Sequence, residues 1–184
     1  MSRLAGSAFM GVYHDPRHEG NPPGFTVTCC EIELDLETGK YEILDMVTIA
    51  ESGTIVHPQG MENQLVGGAV WGIGLSGYER HLYDPQNGLP ASTGYWQSKV
   101  PTYLDTPVKI GTGWVDLPDP ENPVGARGIG EPSMGAVSAA LTAAISDALD
   151  GHHFATAQMT ADMIINNLAG TEANEEPLAQ NKIR

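Results

Sequence analysis

Cys30-Glu-Ile-Glu-Leu-Asp-Leu-Glu-Thr-Gly-Lys-Tyr-Glu-Ile-Leu-Asp-Met-Val-Thr-Ile49 decides what kind of fold this chain adopts. Cys30, Ile32, Leu34 and Leu36 fall on one face of an extended backbone, and Glu31, Glu33, Asp35 and Glu37 on the other. Side chains alternate across a strand, so the pattern is that of a strand with one face in a core and one in water. It starts near Phe25. Glu37-Thr-Gly-Lys40 is the hairpin loop, and residues 41–49 form the returning strand.

Outward from the hairpin, residues 14–24 are turn-rich and aperiodic. Residues 62–75 carry Leu65, Ala69 and Trp71 to Ile73 on a helical period, interrupted by Gly67, Gly68, Gly72 and Gly74. Each glycine inside a helix costs up to about 1 kcal/mol relative to alanine. So many persist only where a neighbouring backbone or a ligand presses against that face. Residues 78–83 and 95–104 read as strands flanking the turn Asp84-Pro-Gln-Asn-Gly88, and 110–116 as a further strand before a proline-rich loop. Helices are expected at about 133–149 and 159–169. The fold class is α/β (α+β), a mixed sheet with packed helices. Three segments follow: an irregular one over 1–24, a domain over 25–170, and a polar, flexible tail over 171–184.

Of the 184 residues, 41% are hydrophobic, enough for one domain with a real core. Charged residues make up only 17%, against about 25% in an average soluble domain. With 22 glycines and 13 prolines besides, the chain is rich in loops, and much of its surface is expected to meet other protein. A formal net charge of −14 argues against nucleic acid or an anionic membrane as partner. The two cysteines, Cys29 and Cys30, are adjacent. They supply no spaced cluster or zinc motif and are read as packed thiols in a reducing compartment. Residues 1–10 lack a secretory apolar core, and no apolar run reaches membrane-spanning length. The expected location is the cytoplasm.

Val124-Gly-Ala-Arg-Gly-Ile-Gly-Glu-Pro-Ser-Met-Gly-Ala-Val137 carries the chemistry. Gly125, Gly128 and Gly130 lead into a single carboxylate, Glu131, at the start of an alanine-rich helix. Glu131 is either a helix-capping acid, worth about 0.3–1 kcal/mol against the dipole, or a catalytic base. Arg127 faces an anionic group or is a surface arginine. Ser133 caps the helix or joins an anion site at its N-terminus. His152 and His153 read as partners of the helix C-terminus, and Met134, Met159 and Met163 as core. Tyr95, Trp96 and Trp114 could line a pocket, with core packing the plainer reading.

Several blocks, in order, resemble the C-terminal part of the molybdenum-cofactor-binding subunit of the xanthine dehydrogenase/aldehyde oxidase family. They are the acidic hairpin, Ile49-Ala-Glu-Ser-Gly-Thr-Ile-Val-His-Pro58, Gln64-Leu-Val-Gly-Gly-Ala-Val-Trp-Gly-Ile-Gly-Leu75, Lys99-Val-Pro-Thr-Tyr-Leu-Asp-Thr-Pro107 and Gly125-Ala-Arg-Gly-Ile-Gly-Glu-Pro132. The resemblance covers roughly residues 9–168. It implies the corresponding portion of a molybdopterin-binding domain and, because such subunits are several times longer, a split subunit whose remainder is a separate chain.

What the resemblance implies for chemistry is specific. The cofactor is a molybdopterin-type molybdenum cofactor shared with that partner chain, with no protein ligand to the metal. Glu131 occupies the position of the general base. Water-derived oxygen is inserted at an electron-poor carbon of an aldehyde, heteroaromatic or related cyclic substrate. Reductive dehydroxylation or hydration on the same scaffold, or a non-catalytic structural subunit, are the alternatives. Gly67, Gly68, Trp71, Gly72, Gly128 and Gly130 would contact the cofactor, and tight helix packing is the alternative for the paired glycines. Trp71 stands where many members have glutamine, and an indole donates only; Gln64 is a further polar candidate. Electrons would leave through 2Fe-2S clusters on an iron–sulfur subunit, and in some assemblies through FAD on a flavin subunit.

Overall fold

A computed structural model describes residues 24–171 except 85, 122 and 155. The expected irregular segment and tail therefore lie, but for their innermost residues, outside the described residues.

The hairpin forms as its alternation requires. Strand β1 (Phe25–Leu34) pairs antiparallel with β2 (Tyr41–Glu51), from Phe25 opposite Glu51 to Leu34 opposite Tyr41, with a bulge between Glu31 and Ile32. The Asp35 carboxylate holds the turn by accepting from the Glu37 N–H at 2.8 Å and the Thr38 hydroxyl at 2.7 Å. Gly39 closes it at φ +68°, where a side chain would also strike the Ala161 carbonyl. The third strand, β3 (Gly111–Val115), lies parallel to β2, so the sheet is mixed with order β1-β2-β3.

A parallel pair needs a crossover, and helix α1 (Pro58–Gly77) supplies much of it. It begins earlier than the apolar period indicates. Pro58 sits in the first turn, and the His57 imidazole Nδ1 accepts from the Gly60 N–H at 2.6 Å. Helix α2 (Pro132–Ala148) packs beside α1, and α3 (Ala161–Leu168) is a short amphipathic helix. Both match the expected helices within two residues.

All three helices help form the core on one side of the sheet. Ile43 and Met46 of β2 meet Ala69 and Ile73 of α1 and Val137 and Leu141 of α2. A second cluster joins Ile145, Leu149, Phe154, Met159 and Ile164, with Ile32 and Leu34 against it. Met159 is fully buried and Met163 packs at the edge of this cluster, whereas Met134 is half-buried.

Two expected strands do not form. Residues 78–83 contribute only an isolated bridge between Tyr83 and Pro90, although the turn between them closes as read, Gly88 N–H donating to the Asp84 carbonyl. Residues 95–104 run irregularly into one 3-10 turn, Tyr103–Asp105. Pro101 cannot donate to a ladder, and Asp105 instead accepts from the Thr102 N–H and hydroxyl, both at 2.7 Å. Core packing also fails for the aromatics there: Trp96 is 95% exposed, and Tyr95 and Trp114 also face outward. Among the described residues no helix is long and apolar enough to cross a membrane.

Candidate functional site

The glycine loop at 125–131 is fixed where β2 ends. The Thr54 and Asp119 N–H groups both donate to the Gly125 carbonyl, at 2.7 and 2.9 Å, and the Arg127 N–H donates to the Ser52 carbonyl at 2.6 Å. Gly53 and Gly125 both adopt positive φ, +75° and +73°. A side chain on either would collide with the other strand of this crossing or with Thr54.

Arg127 completes the clamp. Its Nη1 meets Glu51 Oε2 at 2.6 Å and its Nε meets Asp119 Oδ2 at 2.9 Å, with all three side chains at least four-fifths buried. The guanidinium thus neither faces an anionic ligand nor lies free on the surface; it ties the loop to β2. Glu51 and Asp119 had no signal of their own in the sequence, because they lie 76 and 8 residues from Arg127.

Held this way, the loop runs over the first turns of α1. A Cβ on Gly130 would stand 3.3 Å from the Gln64 amide oxygen, and one on Gly68 would stand 3.5 Å from the Gly130 carbonyl. Gln64, Gly67 and Trp71 recur at helical spacing and are all exposed, so they form one open ridge of α1. Open space lies where a Cβ would be at Gly67 and at Gly128. The structure thus brings Gly130, the residue before Glu131, beside Gln64.

Gly68 and Gly72 do something else. A Cβ on Gly68 would overlap the Ser133 hydroxyl; one on Gly72 would lie 2.6 Å from the Met134 carbonyl and 2.7 Å from Val137 Cβ. These two glycines let α2 approach α1 closely. Ser133 is fully buried at that crossing, and its hydroxyl has no partner among the described residues, so it neither caps the helix nor reaches a surface anion site.

Glu131 occupies the N-cap position of α2 with αR backbone, and its side chain makes no capping hydrogen bond. The carboxylate is exposed and enters no hydrogen bond or ion pair among the described residues. The capping hydrogen bond is therefore absent, while the carboxylate still stands at the helix start, against the dipole.

A groove of 910 Å³ lies elsewhere, between β2, α1 and residues 101–110, lined by Ile43, Val66, Val70, Tyr78 and Ile110. It does not include Glu131.

Among the described residues no three His, Cys, Asp or Glu side chains cluster to hold a metal. A group carrying its own metal ligands still fits: bare backbone at Gly67 and an amide able to donate and accept at Gln64 lie on one ridge, with the loop backbone at Gly130 beside it and the exposed Glu131 carboxylate next in sequence.

Residues 3–107 match the molybdopterin cofactor-binding domain family. The chain is 35% identical over 82% of its length to the 6-hydroxypseudooxynicotine dehydrogenase complex subunit gamma of Paenarthrobacter nicotinovorans, spanning 19% of that protein. It is 30% identical over 68% of its length to a putative xanthine dehydrogenase molybdenum-binding subunit of Escherichia coli, spanning 16% of it. The solved quinoline 2-oxidoreductase from Pseudomonas putida superposes with a TM-score of 0.69 at 29% identity, covering 77% of this chain and 18% of that one. The chain thus spans less than a fifth of each of these relatives. By profile, sequence and fold, this chain belongs to the molybdopterin cofactor-binding domain family and corresponds to one part of the molybdenum-binding subunits of xanthine dehydrogenase type.

Proposed function

We propose that this chain supplies the general base of a molybdenum hydroxylase, Glu131, and part of the cofactor cradle, within a complex whose other chains hold the rest. The carrying observation is the Glu131 carboxylate itself, exposed and uncapped on a loop clamped through Arg127. When bound, the molybdenum cofactor supplies transfer of a water-derived oxygen and takes up the electron pair. Glu131 accepts the proton released as that oxygen becomes nucleophilic; its fixed loop sets where the proton goes. Gln64 offers an amide to the polar edge of the pterin, and the bare backbone at Gly67 and Gly128 admits it closely. Trp71 gives an apolar wall one turn further along α1.

The substrate is an aldehyde, heteroaromatic or related cyclic compound with an electron-poor carbon. The electrons pass to 2Fe-2S clusters and FAD on partner subunits, consistent with the adjacent pair Cys29 and Cys30 being the only cysteines in the chain. General-base removal costs about 10²–10⁴-fold in rate. Glu131→Gln in the assembled complex is therefore expected to lower kcat by that factor with molybdenum content unchanged. Turnover within a few-fold of wild type, with the metal retained, would leave this chain a structural subunit instead.

A further inference from the structure

Among the described residues the sheet carries helices on one face only. On the other, Val27 stands beside Ile49 and Cys29 beside Val47, and these rows continue onto Gly113 and Gly111 of β3. Phe25 and Val115 extend the row at Glu51. Phe25 is 70% exposed and Val27 59%, and Val47, Ile49 and Val115 are exposed too. Gly111 and Gly113 add no side chains. A Cβ would stand 3.0 Å from Val47 at Gly111 and 3.4 Å from Ile49 at Gly113. The result is a shallow apolar shelf with a bare backbone floor. Beyond it on the same face, across the bulge, lie Glu31, Glu33, Glu42 and Asp45, all exposed.

All-parallel sheets occur almost only with both faces covered; the parallel β2–β3 pair of this mixed sheet is uncovered on this side among the described residues. A contiguous apolar patch of this kind marks an interaction surface. The same fold in the Pseudomonas putida quinoline 2-oxidoreductase is 18% of a much longer chain. A second copy of this chain is disfavoured, because facing copies would oppose four like carboxylates on a molecule of net charge −14.

We propose that the open sheet face, centred on Phe25, Val27, Val47 and Ile49, is the docking surface for the remainder of the molybdopterin-binding subunit. That partner presents an apolar layer over the shelf and Lys or Arg side chains opposite Glu31, Glu33, Glu42 and Asp45. The proposal rests on the reading of this chain as part of such a subunit.

Cys29, in the middle of the shelf, reports the contact. Cys30 points to the core with its thiol pushed up to about 11 by burial and by Cys29, so maleimide labelling reads Cys29. The complex is purified from its native host through a tag on this chain, the co-purifying polypeptide is identified by mass spectrometry, and N-ethylmaleimide labelling is compared with that of the isolated chain. Expected are recovery of a polypeptide carrying the rest of the subunit and at least tenfold slower labelling of Cys29 in the complex. Ile49→Glu, exposed and so compatible with folding by circular dichroism, should cut that recovery at least tenfold. Equal labelling in complex and isolated chain overturns the proposal, as does failure to recover such a polypeptide. So does protection already present in the isolated chain, at monomer or at dimer mass. Molybdenum content of the same preparation separates the two readings. A metal-free complex with Cys29 protected removes the catalytic proposal only; a metal-bearing complex with Cys29 reactive removes the docking surface only.

Discussion

Glu131 is useful because of what it does not do. A carboxylate at a helix start ordinarily accepts a backbone N–H or balances the dipole, but here its side chain makes no capping bond. Pro132 sets the first turn of the helix and the Ser133–Gly68 contact packs its second residue. The glycines of α1 divide in the same way. Gly72→Ala drives a methyl into the Met134 carbonyl and Val137 and is expected to cost about 1–3 kcal/mol of stability. Gly67→Ala meets open space and should leave stability unchanged or raise it by up to about 1 kcal/mol. Thermal denaturation of the two variants checks this. In the complex, Gly67→Ala should also lower cofactor retention, because its methyl stands on the open ridge. The sequence carries the glycines but not this division, which depends on the azimuth at which α2 crosses α1.

At the scale of elements, the segment 99–107 shows how side-chain chemistry overrides strand propensity. Lys99 Nζ reaches Asp105 at 2.6 Å and lies 4.5 Å from the centre of the Tyr78 ring. Pro101 seats against Gly74, while Tyr103 and Leu104 are left outside. Desolvation pushes the Asp105 carboxyl up, but hydrogen bonds from Lys99 and Thr102 outweigh it and hold it down to about 2. A carboxyl lowered on folding stabilises above its unfolded value near 4, and that stabilisation is lost as pH falls towards 2. Asp105→Asn is therefore expected to speed amide exchange in residues 99–107 at pH 7, with the difference from wild type shrinking between about pH 4 and 2. Hydrogen-exchange mass spectrometry, referenced to α2, reads it. The hairpin, α2 and α3 are legible in the sequence because period 2 and period 3.6 dominate them. The segment 99–107 is not, because its aromatic and β-branched residues mimic a strand while Pro101, Pro107 and the Asp105 cap forbid one. The start of α1 escapes the apolar period because His57 and Pro58 define it instead. The glycine loop is legible as glycines and an acid; its clamp is not, since Glu51 is brought to Arg127 only by the fold.

Across the whole molecule, the same few features point outward. Charge is sparse at 17%, one sheet face is apolar and open, and Trp96, Tyr103 and Leu104 stand in solvent. These features accord with the proposed docking of this chain on the rest of such a subunit; the chain spans less than a fifth of its relatives. On this account the base and its clamp are built here, and the cofactor is held jointly with other chains. The most direct measurement is elemental analysis of the complex purified through this chain from molybdenum-replete cells. The account predicts molybdenum stoichiometric with this chain and lost when the partner is stripped away; a stable, complete complex without molybdenum would contradict it.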